Sequence, residues 1–403
     1  MASKILPFLA LPALLLAVAY QFFTGKGTWI HDGLGIGRQL ESINNKNCIK
    51  VPELQACEHM WMHRPSGLLY LACSDPIGRV HWTPAVDNLD LQGRPTTDYF
   101  AILDTKAQGP ISSRIKKISP SLYHDSLNVH GFDVHVVPTA SSEIKPTLRI
   151  FAVNHRPPID PLTHTALDPH KVGANSTVEL FETTLGESKM RHIRTYAFPE
   201  IRTPNMPAAV GPDSFLVTND HLRKVGHARI LELFKASSDI AYCDTQGCRV
   251  AISPLAFPNG IIRSPNQPNT FFAASSVEAK IRVLELQADK SLVLIDEIRT
   301  GYPADNLSVD SQGRVYVAVF PKILHTSAQH FPDPVHVHTP SAVLRISPNE
   351  AQSRFFGEKY KVEKIFEDDG ENASGVTVGL FDEEEDKLYL GGVSQPFTAI
   401  CQL

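Results

Sequence analysis

The chain has 403 residues, 42% of them hydrophobic and 20% charged, with a formal net charge of −5. That composition suits a globular protein with ample core, and a mildly acidic balance without a long basic run argues against nucleic acid as a partner. Thirty prolines and few long helical patterns point to a turn-rich body of strands.

The first predicted element is the apolar run at residues 5–23, with Lys4 before it and Lys26 after it. It carries no polar face, so it reads as a secretory signal or a retained membrane anchor rather than as a core helix. Ala17 and Ala19 supply an A-x-A pattern that permits cleavage after Ala19. Both readings send residues 27–403 into the secretory pathway, secreted or membrane-anchored with the folded part on the lumenal or extracellular side. Lipid association through the N-terminal segment is part of that expectation. Six cysteines fit such a compartment. Cys57 and Cys73 lie symmetrically about a turn near Pro65, and Cys243 and Cys248 flank "DTQG"; each pair could face across strands. A Cys48–Cys401 bridge would tie the two ends together. Asn175-Ser-Thr and Asn372-Ala-Ser are glycosylation sequons.

A unit then recurs along the chain. "SGLLYLACS" (66–74), "TLRIFAVNH" (147–155), "DSFLVTNDH" (213–221), "NTFFAASSV" (269–277), "GRVYVAVFP" (313–321) and "DKLYLGGVS" (386–394) each read as a turn residue, an apolar strand and a small or polar exit. A further strand is expected after each, including "RVHWTP" (79–84), "HARILELF" (227–234) and "FTAICQL" (397–403). Most have one before them, such as "EHMWMH", "HGFDVHVV" and "NLSVD". Six such units predict an all-β fold, a six-bladed β-propeller preceded by an N-terminal hydrophobic helix. The propeller spans 27–403; a twelve-strand sandwich is the alternative. Residues 85–128 read as an insertion between the first two blades, weakly helical near 112–125.

In a propeller the innermost strands line a central channel, so the residues at their entrances point toward the axis. Those are Glu58, His130, Asn205, Asn259, Asp305 with Asn306, and a Ser/Gly/Thr cluster at 374–377. Each could merely cap its own turn, as Asn and Asp often do. Recurrence of the same register favours a common partner, because converging buried polar groups need one. Two carboxylates and three amides are hard oxygen donors, which suit Ca²⁺ better than zinc or Mg²⁺. His130 and His155 fall near the channel mouth, where one imidazole could take a proton from water while the other orients it. Two histidines satisfied under a loop is the bland alternative. "HTSAQHFPDPVHVH" gathers His325, His330, His336 and His338; a loop walling the pocket or a surface loop is expected there before a transition-metal site.

These residues resemble the serum paraoxonase/arylesterase family over nearly the whole chain after residue 45. The resemblance is carried by "NC" (47–48), "NVHGF" (128–132), "AVNH" (152–155), "STVELF" (176–181), "AVGPDSFLVTNDH" (209–221), "NGI" (259–261), "DNLSVD" (305–310) and the terminal "CQL". It implies a six-bladed propeller with calcium in its channel that hydrolyses lactones and aryl esters. It implies catalytic calcium ligands at Glu58, Asn205, Asn259, Asp305 and Asn306, and a histidine dyad at His130 and His155. It further implies an active-site pair at Asp220 and His221, and a disulfide between Cys48 and Cys401. The family's second, structural calcium takes aspartates where this chain has His59 and Met206, so one ion is expected rather than two; methionine sulfur is a poor calcium donor. Rival readings are a gluconolactonase-like or strictosidine-synthase-like propeller, or a non-catalytic interaction propeller that would need no polar ring on its axis.

Overall fold

The computed structural model describes residues 33–403 apart from 124, 142, 143, 234, 351–356 and 358. The apolar run at 5–23 and its cleavage pattern lie outside the described residues. Among those described, no helix is long and apolar enough to cross a membrane.

Strands dominate, in antiparallel groups of four. Thr398–Gln402 sits between Cys48–Val51 and Lys387–Gly391, with Val378–Asp382 innermost. Pro204–Gly211, Pro258–Arg263 and Ala304–Val309 each begin a further four-stranded sheet. The eight-stranded sheet has two antiparallel halves, begun by His59–His63 and Val129–Val137. Their outer strands, Ile115–Ser121 and Lys189–Tyr196, pair in parallel over three residues. The innermost strands of successive groups pack side by side, and Val378–Asp382 returns to His59–His63. They therefore form a closed ring, which a sandwich would not. Apolar side chains between neighbouring groups make the core; Phe100, Phe132 and Phe181, for instance, meet edge to face.

Three expected features are corrected. Residues 79–84 do not form the blade strand expected there: Asp75 caps a helix, Pro76–His81, by accepting from Gly78 N at 2.5 Å, proline fits its first position, and only Trp82–Thr83 is strand, paired with Asn88–Leu89 in a separate two-stranded sheet. Residues 85–128 are not an inter-blade insertion: they contain Tyr99–Asp104 and Ile115–Ser121, the third and fourth strands of the first group. The segment near 112–125 is mainly that fourth strand, preceded by the 3-10 turn Ile111–Arg114. The strand expected at 227–234 is not found in its described part: His227–Leu233 is a 3-10 segment, and Ser238–Asp244 takes the place in the sheet.

All six cysteines are bonded, as Cys48–Cys401, Cys57–Cys73 and Cys243–Cys248. Cys48 and Cys401 face each other in the ladder that closes the ring. A link over 353 residues removes roughly 6 kcal/mol of unfolded-chain freedom in the loop-entropy model.

Candidate active site

The same irregularity opens four of the innermost strands. The ladder slips between Val129 and Phe132, Pro204 and Pro207, Pro258 and Ile261, and Ala304 and Leu307. Each slip holds one of His130, Asn205, Asn259 and the Asp305–Asn306 pair. A bulge re-aims side chains that regular alternation would send to the sheet faces, so these residues turn toward the axis. Glycine follows two of them because neighbouring strands touch there. A Cβ on Gly131 would lie 2.5 Å from Asn205 O, and one on Gly260 would lie 2.7 Å from Asn306 Cα.

The result is a floor of oxygen atoms. Glu58, Asn205, Asn259, Asp305 and Asn306 are all buried. Asn306 Nδ2 donates to Glu58 Oε1 at 2.9 Å, and Thr377 Oγ1 donates to Glu58 Oε2 at 2.9 Å. Asn259 Nδ2 donates to Ser276 Oγ at 2.9 Å. Those bonds use the amide nitrogens and leave the amide oxygens over. Asn205 Oδ1, Asn259 Oδ1, Asp305 Oδ1 and Asn306 Oδ1 have no hydrogen-bond partner. Four buried, unpartnered oxygens beside a second carboxylate are costly unless a cation joins them. Burial pushes the Glu58 carboxyl up to about 7 against the pull of Arg79. Burial and repulsion from Glu58 hold Asp305 well above the carboxylate range. The donor set fits a hard cation such as calcium. Among the described residues, no three His, Cys, Asp or Glu side chains gather as a metal group. His59 and Met206, by contrast, offer no oxygen to a second ion. His59 is buried against the edge of Phe132, and neither ring nitrogen makes a hydrogen bond.

Two side-chain pairs, His130 with His155 and Asp220 with His221, adjoin the floor, and His130 and His221 line the cavity that ends on it. His130 Nε2 lies 3.7 Å from Glu58 Oε1, and its ring is 5.1 Å from that of His155, centroid to centroid. His155 Nδ1 meets Ser176 Oγ at 2.8 Å. Burial drives both imidazoles below their ordinary value, His155 to about 3, so both are neutral near pH 7. Asp220 and His221 are bonded at 2.9 Å through Nδ1, and Arg229 Nη2 lies 3.1 Å from the same nitrogen. Burial would raise Asp220, but His221 and Arg229 outweigh it and hold the carboxyl low.

A cavity of about 980 Å³ ends on this floor. Glu58, His130, Asn205, Asn259, Asp305 and Thr377 line its end, with His221 and Arg229 on one side. Val80, Val86, Phe257, Phe320, Leu324 and Phe331 make its walls apolar. The histidine-rich stretch contributes Ser327, Phe331 and Pro332, so it walls the pocket as expected. His330 is buried with Nδ1 on Val337 O, while His336 is exposed and paired with Asp333. Of the predicted site residues, Glu58, His130, Asn205, Asn259, Asp305 and His221 line this cavity, while Asn306 is bonded to Glu58, His155 lies against His130, and Asp220 is bonded to His221. Sequence reasoning missed Arg79, Trp82, Asp98 and Arg229. Asp75-Pro76 was the available helix-start signal for the first of these; the others carry no local signal.

A strand ring whose channel-facing bulges deliver a carboxylate-and-amide floor to an apolar-walled cavity defines a propeller-like protein with a candidate small-molecule site. The chain belongs to the arylesterase family, whose model matches residues 167–401. It is similar to serum paraoxonase/arylesterase 2 of Gallus gallus, 26% identical over 295 residues that cover 72% of this chain and 73% of that one. The Rattus norvegicus protein of that name is 24% identical over 369 residues, 90% of each chain. Serum paraoxonase/lactonase 3 of Oryctolagus cuniculus is 22% identical over 371 residues, 90% of this chain and 92% of that one. Among solved structures, the periplasmic gluconolactonase of Pseudomonas aeruginosa is similar with TM-score 0.40 at 8% identity, covering 82% of this chain and 77% of that one.

Proposed function

We propose that this chain is a calcium-dependent hydrolase of lactones and aryl esters, a carboxylic ester hydrolase built as a six-bladed β-propeller. In the blade count the two halves of the eight-stranded sheet are taken separately. The observation that carries the reading is the set of four unpartnered buried oxygens at the cavity floor. A propeller that only bound another protein would have no use for them, and the family match favours this reading over a gluconolactonase-like or strictosidine-synthase-like one.

Glu58, Asn205, Asn259, Asp305 and Asn306 would hold one calcium, which when bound would supply Lewis acidity toward an ester carbonyl. His130, neutral and at the cavity end, would take the proton from the attacking water; His155 would orient its ring. Asp220 holds His221 through Nδ1, which leaves the other nitrogen of a cavity-lining ring for substrate. The apolar walls admit a small lactone or ester and keep water sparse around the reacting carbonyl. His59 and Met206 argue for a single ion. Three disulfides support an oxidising compartment, and with the run at 5–23 they support secretion or anchoring through residues 1–26. Of the two sequons, Asn175 is exposed, whereas Asn372 is half-buried and donates to Asp368 Oδ2 at 3.2 Å.

The test is a panel of lactones and aryl esters with dialysed protein, with and without EDTA and then with calcium restored. Hydrolysis that EDTA abolishes and calcium restores is expected. Full activity in a metal-free protein would end the reading.

A further inference from the structure

Two side chains converge on the backbone of one residue, Val129, each bonding one of the two peptide groups that flank its Cα. Arg79 is fully buried on the helix Pro76–His81, and Asp98 precedes the strand Tyr99–Asp104. Arg79 Nη2 donates to Val129 O, and Asp98 Oδ2 accepts from Val129 N at 2.8 Å. The two charged groups lie 3.9 Å apart, closing on the backbone of Val129 from both sides. Val129 immediately precedes His130. The ladder fails at this place, jumping from the Val129–Asn154 pair to Phe132–Ala152. The bulge that aims His130 at the floor thus weakens the strand's own hold on the residue before it. Arg79 and Asp98 supply that hold.

The same excursion, residues 74–98, grips the rest of the histidine frame. Arg94 Nη1 donates to Asn128 Oδ1 at 2.7 Å, and Asn128 Nδ2 donates to Pro95 O at 2.7 Å. Trp82 Nε1 donates to His155 O at 2.8 Å. Stability alone does not account for Arg79: its Nε and Nη1 are buried without a partner. Replacing a buried ion pair as a whole with apolar side chains of similar volume is often neutral or stabilising, although removing one partner alone is costly. What Arg79 secures is the direction of a peptide.

We infer that Arg79 and Asp98 are positioning residues that clamp the Val129 backbone through its two flanking peptides and so fix the His130 imidazole over the cavity floor. The inference rests on the reading that His130 moves a proton in the reaction. Misplacing a catalytic group by about 1 Å costs on the order of 10²-fold. Arg79→Met and Asp98→Ala should therefore lower kcat for a lactone about 10–100-fold, with KM unchanged within about twofold. Because Arg79 also acts on the Glu58 carboxyl, bound calcium per chain should be measured at saturating calcium, where it should stay at the wild-type value, and amide hydrogen exchange should quicken at residues 126–132. Asp98→Asn, whose carboxamide oxygen still accepts from Val129 N–H, should recover most of the rate lost in Asp98→Ala. In a His130→Gln chain, adding Arg79→Met should lower kcat by less than about twofold, because coupled residues are not additive. Wild-type kcat in Arg79→Met, or the same loss with and without His130, overturns the clamp. If Arg79→Met fails to fold, equal kcat losses in Asp98→Ala and Asp98→Asn overturn it instead. Full activity in His130→Gln alone would mark failure of the underlying reading of that histidine, separately from the clamp.

Discussion

The fifth four-stranded group and the first do different work. In the fifth, residues 304–368, the first two strands are joined by the tight turn after Val309. Asp310 Oδ1 accepts from the backbone of Gln312 and Arg314 there. This group brings donors to the floor: Asp305 and Asn306 sit in its opening bulge. The first group has a tight inner hairpin, then runs from Cys73 to Tyr99 before its third strand begins. The first group's own predicted ligand, Glu58, stands just before its opening strand, and the excursion adds none. It brings Arg79, Trp82 and Asp98 to the backbone around the histidines. Regular repeats thus place the groups that would bind the ion, and the departure from the repeat frames the groups that would move protons.

Substitutions in each region test whether the division holds. The largest effect is expected from Asp305→Ala, which removes one of two anionic donors. Bound calcium and hydrolysis should both be lost, the rate falling at least about 10³-fold; titration calorimetry and a lactone assay would check it. His130→Gln should keep the ion and the fold while lowering lactone hydrolysis about 10²–10⁴-fold; calcium loss equal to that of Asp305→Ala would erase the distinction. Trp82→Phe removes the donor to His155 O from a buried site, costing roughly 1–3 kcal/mol of stability. Its calcium affinity should match wild type, and a thermal melt beside calorimetry would show both. The smallest effect concerns pH. Glu58 and Asp305 have raised carboxyls and must give up their protons to bind the ion, so calcium should protect more at pH 7 than at pH 5. Melting curves with calcium and with EDTA should diverge by a few degrees more at the higher pH. An equal gap at both would remove the carboxylates from the floor.

The two groups also differ in how far their sequences could be read. "NLSVDSQGRVYVAVF" announces two strands and a turn by period-two alternation and Asp-Ser-Gln-Gly, and the strands appear at Ala304–Val309 and Val315–Val319. "RVHWTP" also alternates, yet Asp75 and Pro76 start a helix, and a capping bond overrides the alternation in its first half, leaving only Trp82–Thr83 as strand. Likewise Ile230 and Leu231 look like strand residues in "HARILELF" but stand exposed on a 3-10 segment. The floor was readable because polar side chains, three of them Asn, recur in one register. The bulges were not, since a slipped ladder is a relation between strands. Nor was the Val129 clamp, whose partners lie 50 and 31 residues away and act on backbone atoms.

Glu58 is held on one side by Thr377, 319 residues further along the chain. Glu58 emerges early in synthesis, whereas the strand Val378–Asp382 that must lie beside its own is among the last to be made. The floor therefore cannot exist on a growing chain: assembly of the site is deferred until synthesis is nearly finished, and a nascent chain paused before Thr377 carries a carboxylate with no hydroxyl to steady it.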